Sequence, residues 1–181
     1  MIEIFVLLTF ATAIAEIIMS GRWLPFYFRN GIPLYLKSFQ VMEPPTLSAD
    51  DLSRKFSSGI AAPIIFHRIR NDEIGFREKA FSFRLFNYTP IMHGLIHVDQ
   101  SKYTVKMVGY ANWTTIIFPI AFLSIDYSFS QRQPTHPPTT LFLVAIFAVL
   151  YLIQFIRFNR VFKFLEDKFS GKSHVMGSNN T

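Results

Sequence analysis

The chain has 181 residues and no cysteine. This absence excludes disulfide bonds, thiolate metal ligands and cysteine nucleophiles. Its eight glycines are scattered, and no GxGxxG or GxxxxGK pattern occurs, so phosphate-binding loops of those kinds are excluded as well. Charged residues make up 17%, against about 25% in an average soluble domain. We therefore expect no catalytic residues, no bound metal and no cofactor, and hence a protein that is not an enzyme.

Hydrophobic residues are abundant where charge is missing. They form half of the chain, which includes 21 phenylalanines. Residues 139–156 contain no charged side chain and a single amide. A helix of that length would reach about 27 Å, close to the thickness of the hydrocarbon core of a bilayer. This segment predicts a transmembrane helix.

Two further segments predict membrane spans. Residues 1–21 are apolar except for Glu3, Glu16 and small hydroxyl groups. A signal peptide would need basic residues ahead of this run, and the first basic residue is Arg22, so we expect an uncleaved anchor. Residues 110–128 are also apolar, and Pro119 should kink a helix there.

The distribution of basic residues predicts the orientation. Residues 1–21 contain none, residues 22–112 contain twelve, residues 113–156 contain one, and residues 157–181 contain five. By the positive-inside rule, three spans place the N-terminus outside and the C-terminus in the cytoplasm of a plasma or inner membrane. Residues 129–138 would form a short external loop. Trp23 and Trp113 would act as interface anchors.

Residues 22–109 predict a cytoplasmic β-rich domain. Asn30-Gly31 within residues 26–36 is typical of a β-hairpin. A short helix should follow Ser48, which suits a helix cap. Further strands are expected at residues 64–70, 76–86, 91–98 and 103–109. The predicted fold is membrane α+β: three transmembrane helices, with a mostly antiparallel domain of about six strands plus one short helix inserted between helices 1 and 2.

Residues 157–170 predict an amphipathic basic helix in the cytoplasm. Its apolar stripe has helical spacing and consists of Phe155, Phe158, Phe162, Leu165 and Phe169. The basic side chains lie mostly off that stripe and are candidate contacts for lipid headgroups: Arg157, Arg160, Lys163 and Lys168. The stripe could equally pack on the β domain or on a partner. Residues 171–181 are polar, and we expect them to be disordered.

Glu16 and Asp126 are the candidate polar sites within the spans. Carboxylates inside a membrane are costly and mark functional sites by default. The simpler interpretation pairs Glu16 with Arg22 and lets Asp126 reach water at the outer interface. His93 and His97 would lie about 13 Å apart on one strand, too far to share one metal ion without a bend, with His67 as a possible third ligand. Exposed or hydrogen-bonded strand histidines are the preferred interpretation.

These features favour a non-enzymatic integral membrane subunit whose β domain is a protein-interaction and assembly platform in a larger membrane complex. One alternative is a module that binds or handles anionic lipids. Another is an oligomeric pore or transporter component with Glu16 in the path. The expected partners are membrane lipids and other membrane subunits, of the same or another chain. Nucleic acid is not expected, because a domain held at a membrane gains from basic groups in any case.

Overall fold

The computed structural model describes residues 2–42, 45–57, 63–79, 90–130 and 139–169. These residues form an α+β fold with five helices and one antiparallel sheet of five strands. The helices are α1 (Ile2–Gly21), α2 (Pro25–Arg29), α3 (Ala49–Ser57), α4 (Trp113–Ser130) and α5 (Thr139–Phe169). The strands are β1 (Pro33–Gln40), β2 (Ile64–Arg70), β3 (Glu73–Glu78), β4 (Met92–Asp99) and β5 (Thr104–Ala111).

The strand order is β1-β5-β4-β3-β2, and each neighbouring pair is antiparallel. This arrangement brings the starts of β1, β2 and β4 together with the ends of β3 and β5. The cross-strand partners at this end are Pro33 with Tyr110, Met92 with Ala111, His93 with Arg77, and Ile64 with Glu78. Helix α4 starts directly after β5, so we call this end of the sheet the helix-proximal end.

The main core lies between one face of the sheet and the C-terminal half of α5. Phe158, Val161 and Leu165 are fully buried against sheet residues that include Phe76. The rings of Phe76 and Phe158 are 4.9 Å apart. A Cβ atom at Gly94 would lie only 2.0 Å from the Phe76 ring, so this close approach requires glycine. Each such buried side chain contributes about 1.5–3 kcal/mol.

A second, smaller core covers the opposite face of the sheet. Tyr27 and Phe28 of α2 pack against Leu95, and Met19 and Trp23 border the cluster. This core joins the end of α1 and the start of α4 to the sheet, because Trp113 also contacts it.

The predicted hairpin at residues 26–36 is wrong. Pro25 occupies the first turn of α2, a position that suits proline, and burial of Tyr27 and Phe28 favours helix there. The extended segment that follows pairs with β5 instead of with residues 26–29. The strand at residues 64–70 is confirmed, and so is the helix after Ser48, whose Oγ accepts a hydrogen bond from the Asp51 amide at 3.3 Å. Residues 80–86 of the predicted strand 76–86 lie outside the described residues.

The prediction of three membrane spans is not supported. Within the described residues, only Phe142–Phe169 is a helix long and apolar enough to cross a membrane. The other two candidates are shorter apolar helices, Val6–Gly21 and Trp113–Ser124. The third predicted span and the amphipathic helix at 157–170 form one continuous helix, α5, through Phe169. Most of the predicted external loop and the C-terminal tail lie outside the described residues.

Candidate functional site

Four polar side chains meet between the apolar helices and the helix-proximal end of the sheet. They are Glu16 of α1, Tyr27 of α2, His93 of β4 and Asn112, which links β5 to α4. Glu16, Tyr27 and His93 are almost completely buried. We call this set the junction cluster, because its members come from four different parts of the chain.

The Glu16 carboxylate accepts four hydrogen bonds. Oε1 accepts from the Tyr27 hydroxyl at 2.8 Å and from the Trp113 amide at 2.9 Å. Oε2 accepts from the Thr114 amide at 3.0 Å and from the Thr114 hydroxyl. The two amides are the first donors of α4, which have no acceptor within their own helix. A negative charge at this end also interacts favourably with the helix dipole. Glu16 therefore caps α4 from a neighbouring helix.

Asn112 and His93 continue the cluster towards the sheet. The Asn112 side-chain nitrogen donates to the Pro90 carbonyl at 2.7 Å, so its Oδ1 faces His93. Nδ1 of His93 is 3.0 Å from this oxygen, and Nε2 is 2.9 Å from the Tyr27 carbonyl oxygen. The imidazole also stacks on the Tyr27 ring, with 4.0 Å between centroids. The side chain of His93 thus connects β4 to α2 and to the link between β5 and α4.

Burial governs the protonation of the cluster. It lowers the pKa of His93, although the hydrogen bonds to Asn112 and to the Tyr27 carbonyl and the Glu16 charge act in the opposite direction. The imidazole is therefore neutral at neutral pH and donates through one nitrogen at a time. Burial, followed by the adjacent Glu16 charge, raises the pKa of Tyr27, which stays protonated and donates to Glu16.

The hydrogen bonds of the junction cluster hold structural elements of the chain together. Each oxygen of Glu16 has two donors, which leaves little capacity for a substrate. Two cavities among the described residues are lined by other side chains. One is a groove of about 460 Å³ between α4 and α5 whose lining includes Pro119, Leu143 and Phe147. The cluster thus joins α1, α2 and α4 to the sheet.

Glu16 does not contact Arg22 in the way the simpler sequence interpretation required, because its acceptors are used by α2 and α4. Position 126 lies within α4, but the side chain of Asp126 lies outside the described part of the structure. The two candidate carboxylates are therefore not brought together by any described contact.

The four basic candidates of α5 have different surroundings. Arg157 forms an ion pair with the buried Glu78, with 3.2 Å between Nε and Oε1. Arg160, Lys163 and Lys168 are exposed. The apolar stripe between them faces the sheet, so these three side chains point away from the main core.

Both tryptophans border the junction. Trp23 follows the end of α1 with a left-handed φ of 54° and stacks on Phe28 and His67 at 5.1 and 5.0 Å. Trp113 opens α4, and its ring centroid is 6.2 Å from that of Phe26. Both lie where apolar helices adjoin the sheet, and their role as interface anchors stays a prediction.

His93 and His97 lie on the same strand but have different neighbours. His97 is near the carboxylates of Asp72 and Glu73, and the three could offer ligand atoms within 4.8 Å of one another. Glu73 is already bound by Arg29, with 2.5 Å between Nη2 and Oε2. A positive guanidinium on one of three ligands disfavours a metal cation there.

Sequence reasoning missed most of the junction cluster. Tyr27 and Asn112 carry no local pattern that marks them, because their roles depend on contacts between distant segments. Gln154 was also missed. It is fully buried in α5, and its Oε1 accepts from the Ile91 amide at 3.0 Å. Its signal was available, because it is the single amide of the apolar run at residues 139–156.

No family model matches this chain, and no curated protein or solved structure matches it either.

Proposed function

We propose that this chain is a non-enzymatic, membrane-anchored subunit whose sheet domain is an assembly platform for other membrane proteins. The observation that carries the proposal is the exposed apolar surface of α1 and of the N-terminal half of α5. Leu7 is 70% exposed and Phe142 is 67% exposed, and similar side chains continue along both helices. Water would disfavour such a surface, whereas lipid or an apolar partner would cover it.

The organisation of α5 supports anchoring. Its residues 142–153 expose apolar side chains, whereas residues 154–169 complete the main core of the sheet domain. One rigid helix would therefore connect the membrane to the platform without a flexible linker. We propose that the N-terminal half of α5 lies in the bilayer and that α1 and α4 accompany it as shorter apolar helices. The excess of basic residues in 22–112 favours a cytoplasmic platform.

The far end of the sheet offers a contact surface for a partner. Met42 is 88% exposed and Tyr103 is 45% exposed. They adjoin each other, because the Val41 amide donates to the Tyr103 carbonyl at 2.8 Å. Tyr103 has a left-handed φ of 50°, a conformation that is uncommon for tyrosine. Exposed aromatic and methionine side chains are enriched in protein interfaces.

The experiment is capture of the tagged full-length chain from its native membranes, followed by mass spectrometry. A partner present in stoichiometric amount is expected. The double variant M42S/Y103N should lose it, since asparagine tolerates the left-handed conformation at position 103. The control K102Q, in the same turn, should retain the partner. Absence of any stoichiometric partner in the wild-type sample would refute the platform function.

A lipid-binding module is the second candidate. Basic side chains near the helix-proximal end support it. They include Arg77 on β3 and Lys79 directly after that strand. A pore is less favoured, because the Glu16 oxygens already accept hydrogen bonds from Tyr27 and α4 and are not available to passing ions.

A further inference from the structure

Arg77 is a partly buried cation without a counter-ion among the described residues. Its side chain lies on β3 opposite His93, on the face of the sheet that carries the smaller core. Nε is buried and has no hydrogen-bond partner. The nearest carboxylates on β3 are committed elsewhere, since Glu73 binds Arg29 and Glu78 binds Arg157 on the other side of the sheet. An unpaired guanidinium that has lost part of its hydration needs an explanation.

Arg77 lies against the ring of Trp23. Its Cζ is 5.1 Å from the centroid of the Trp23 ring. Trp23 is itself held by Phe28 and His67, and its left-handed backbone is retained by these contacts. A guanidinium is planar, and its N–H groups match the two-point contact that a phosphate accepts.

Further basic side chains adjoin this pair. Arg22 directly precedes Trp23, and Lys79 is two residues beyond Arg77 on the same side of the strand. His67 is exposed and contacts Trp23. Burial lowers the pKa of Arg77, which reports the cost of keeping this cation partly away from water. A bound anion would reverse that cost.

We infer that Arg77, beside Trp23 at the helix-proximal end of the sheet, binds a phosphate group. The location beside the end of α1 favours the headgroup of an anionic phospholipid as the source. The site stands apart from the platform function, and only the lipid source of the phosphate rests on the proposed membrane anchoring. Basic groups near a membrane surface gain about 1 kcal/mol each from anionic lipid in any case. The fork of Arg77 adds a specific contact to this general attraction.

The test uses the emission of Trp23 as a reporter. The chain has two tryptophans, so full-length W113F in neutral detergent micelles leaves Trp23 alone. Short-chain phosphatidylglycerol is titrated in one arm and inorganic phosphate in the other. A saturable change in emission is expected with phosphatidylglycerol. A change with inorganic phosphate alone would equally support the phosphate site and would identify a soluble source.

Matched variants separate a specific site from general charge. R77Q should weaken the apparent affinity about tenfold or more, since it removes the charge and the two-point contact. R77K should fall between R77Q and the parent, because it keeps the charge but not the fork. K106Q, an exposed lysine farther along the same sheet face, should bind like the parent. Equal responses in R77Q and K106Q, or no saturable response in either arm, would overturn the inference. Such a result would leave the proposed function standing, because partner capture and resistance of the membrane-bound chain to extraction by alkaline carbonate test that function separately.

Discussion

At the scale of single residues, Glu16 accepts four hydrogen bonds from α2 and α4. Its carboxylate joins α1 to the first turn of α4 and to the Tyr27 hydroxyl. Because Glu16 is only 7% exposed, a substitution that removes an acceptor leaves a partly buried donor without its partner. Glu16 and the smaller core thus together attach two apolar helices to the sheet.

We expect Glu16→Gln to destabilise the protein by about 2–4 kcal/mol. The amide offers one acceptor oxygen where the carboxylate offers two, and its NH2 group would oppose a backbone donor of α4. Chemical denaturation of the purified full-length chain in detergent measures this change. The control Glu3→Gln, exposed near the start of α1, should stay within about 0.5 kcal/mol of the parent. Equal stability of both variants would refute the capping role.

His93 predicts a dependence of stability on pH. Its pKa in the folded state lies below the value of about 6.5 for an unfolded chain. The unfolded state therefore binds the proton more readily, and stability is complete above that value and falls as pH drops towards the folded-state pKa. The charged or titratable groups around His93 are Glu16, Tyr27, Arg77 and Tyr110.

Denaturation curves of the full-length protein measure this effect between about pH 5 and pH 8, the range in which histidine titrates. The parent should lose stability on acidification more steeply than His93→Gln. His67→Gln, at an exposed position, should keep the steep dependence. A parent and His93→Gln with the same pH profile would contradict the assignment of a buried neutral imidazole.

At the scale of secondary-structure elements, α5 has two different halves. Phe158 is fully buried and contacts Phe76 and Tyr35, whereas Ile156, two residues earlier, is 45% exposed. Phe158→Ala should therefore cost about 3–5 kcal/mol in the free energy of unfolding. Ile156→Ala on the same helix should cost far less. Comparable losses in the two variants would show that the C-terminal half of α5 is not part of the core.

The sequence predicted the stripe of α5 but not what it contacts. Phenylalanines at helical spacing look the same whether lipid or a sheet covers them. The answer depends on small residues far away in the sequence, such as Gly109, where a Cβ would lie 2.8 Å from the Phe158 ring. The hairpin prediction was wrong for a related reason, since Asn30-Gly31 follows the end of α2 and does not form a turn between two strands.

At the scale of the whole molecule, the hydrophobic and turn patterns predicted an α+β chain with a mostly antiparallel sheet domain, and the structure has that class of fold. Three spans are not supported, because within the described residues only Phe142–Phe169 is long and apolar enough to cross a membrane. Of the junction cluster, the sequence drew attention to Glu16, a carboxylate in an apolar segment, and to His93, but not to Tyr27 or Asn112.

The central claim is that α5 leaves the sheet domain to enter a bilayer. Because the chain has no cysteine, single cysteines introduced at Val149 and Lys163 provide unique labels. Val149 is 57% exposed on the apolar half of α5, and Lys163 is exposed on the half that packs on the sheet. In washed, opened membranes, a polar maleimide should label K163C and should reach V149C only after detergent is added. Equal labelling of both positions before detergent, or release of the chain by alkaline carbonate, would contradict the account.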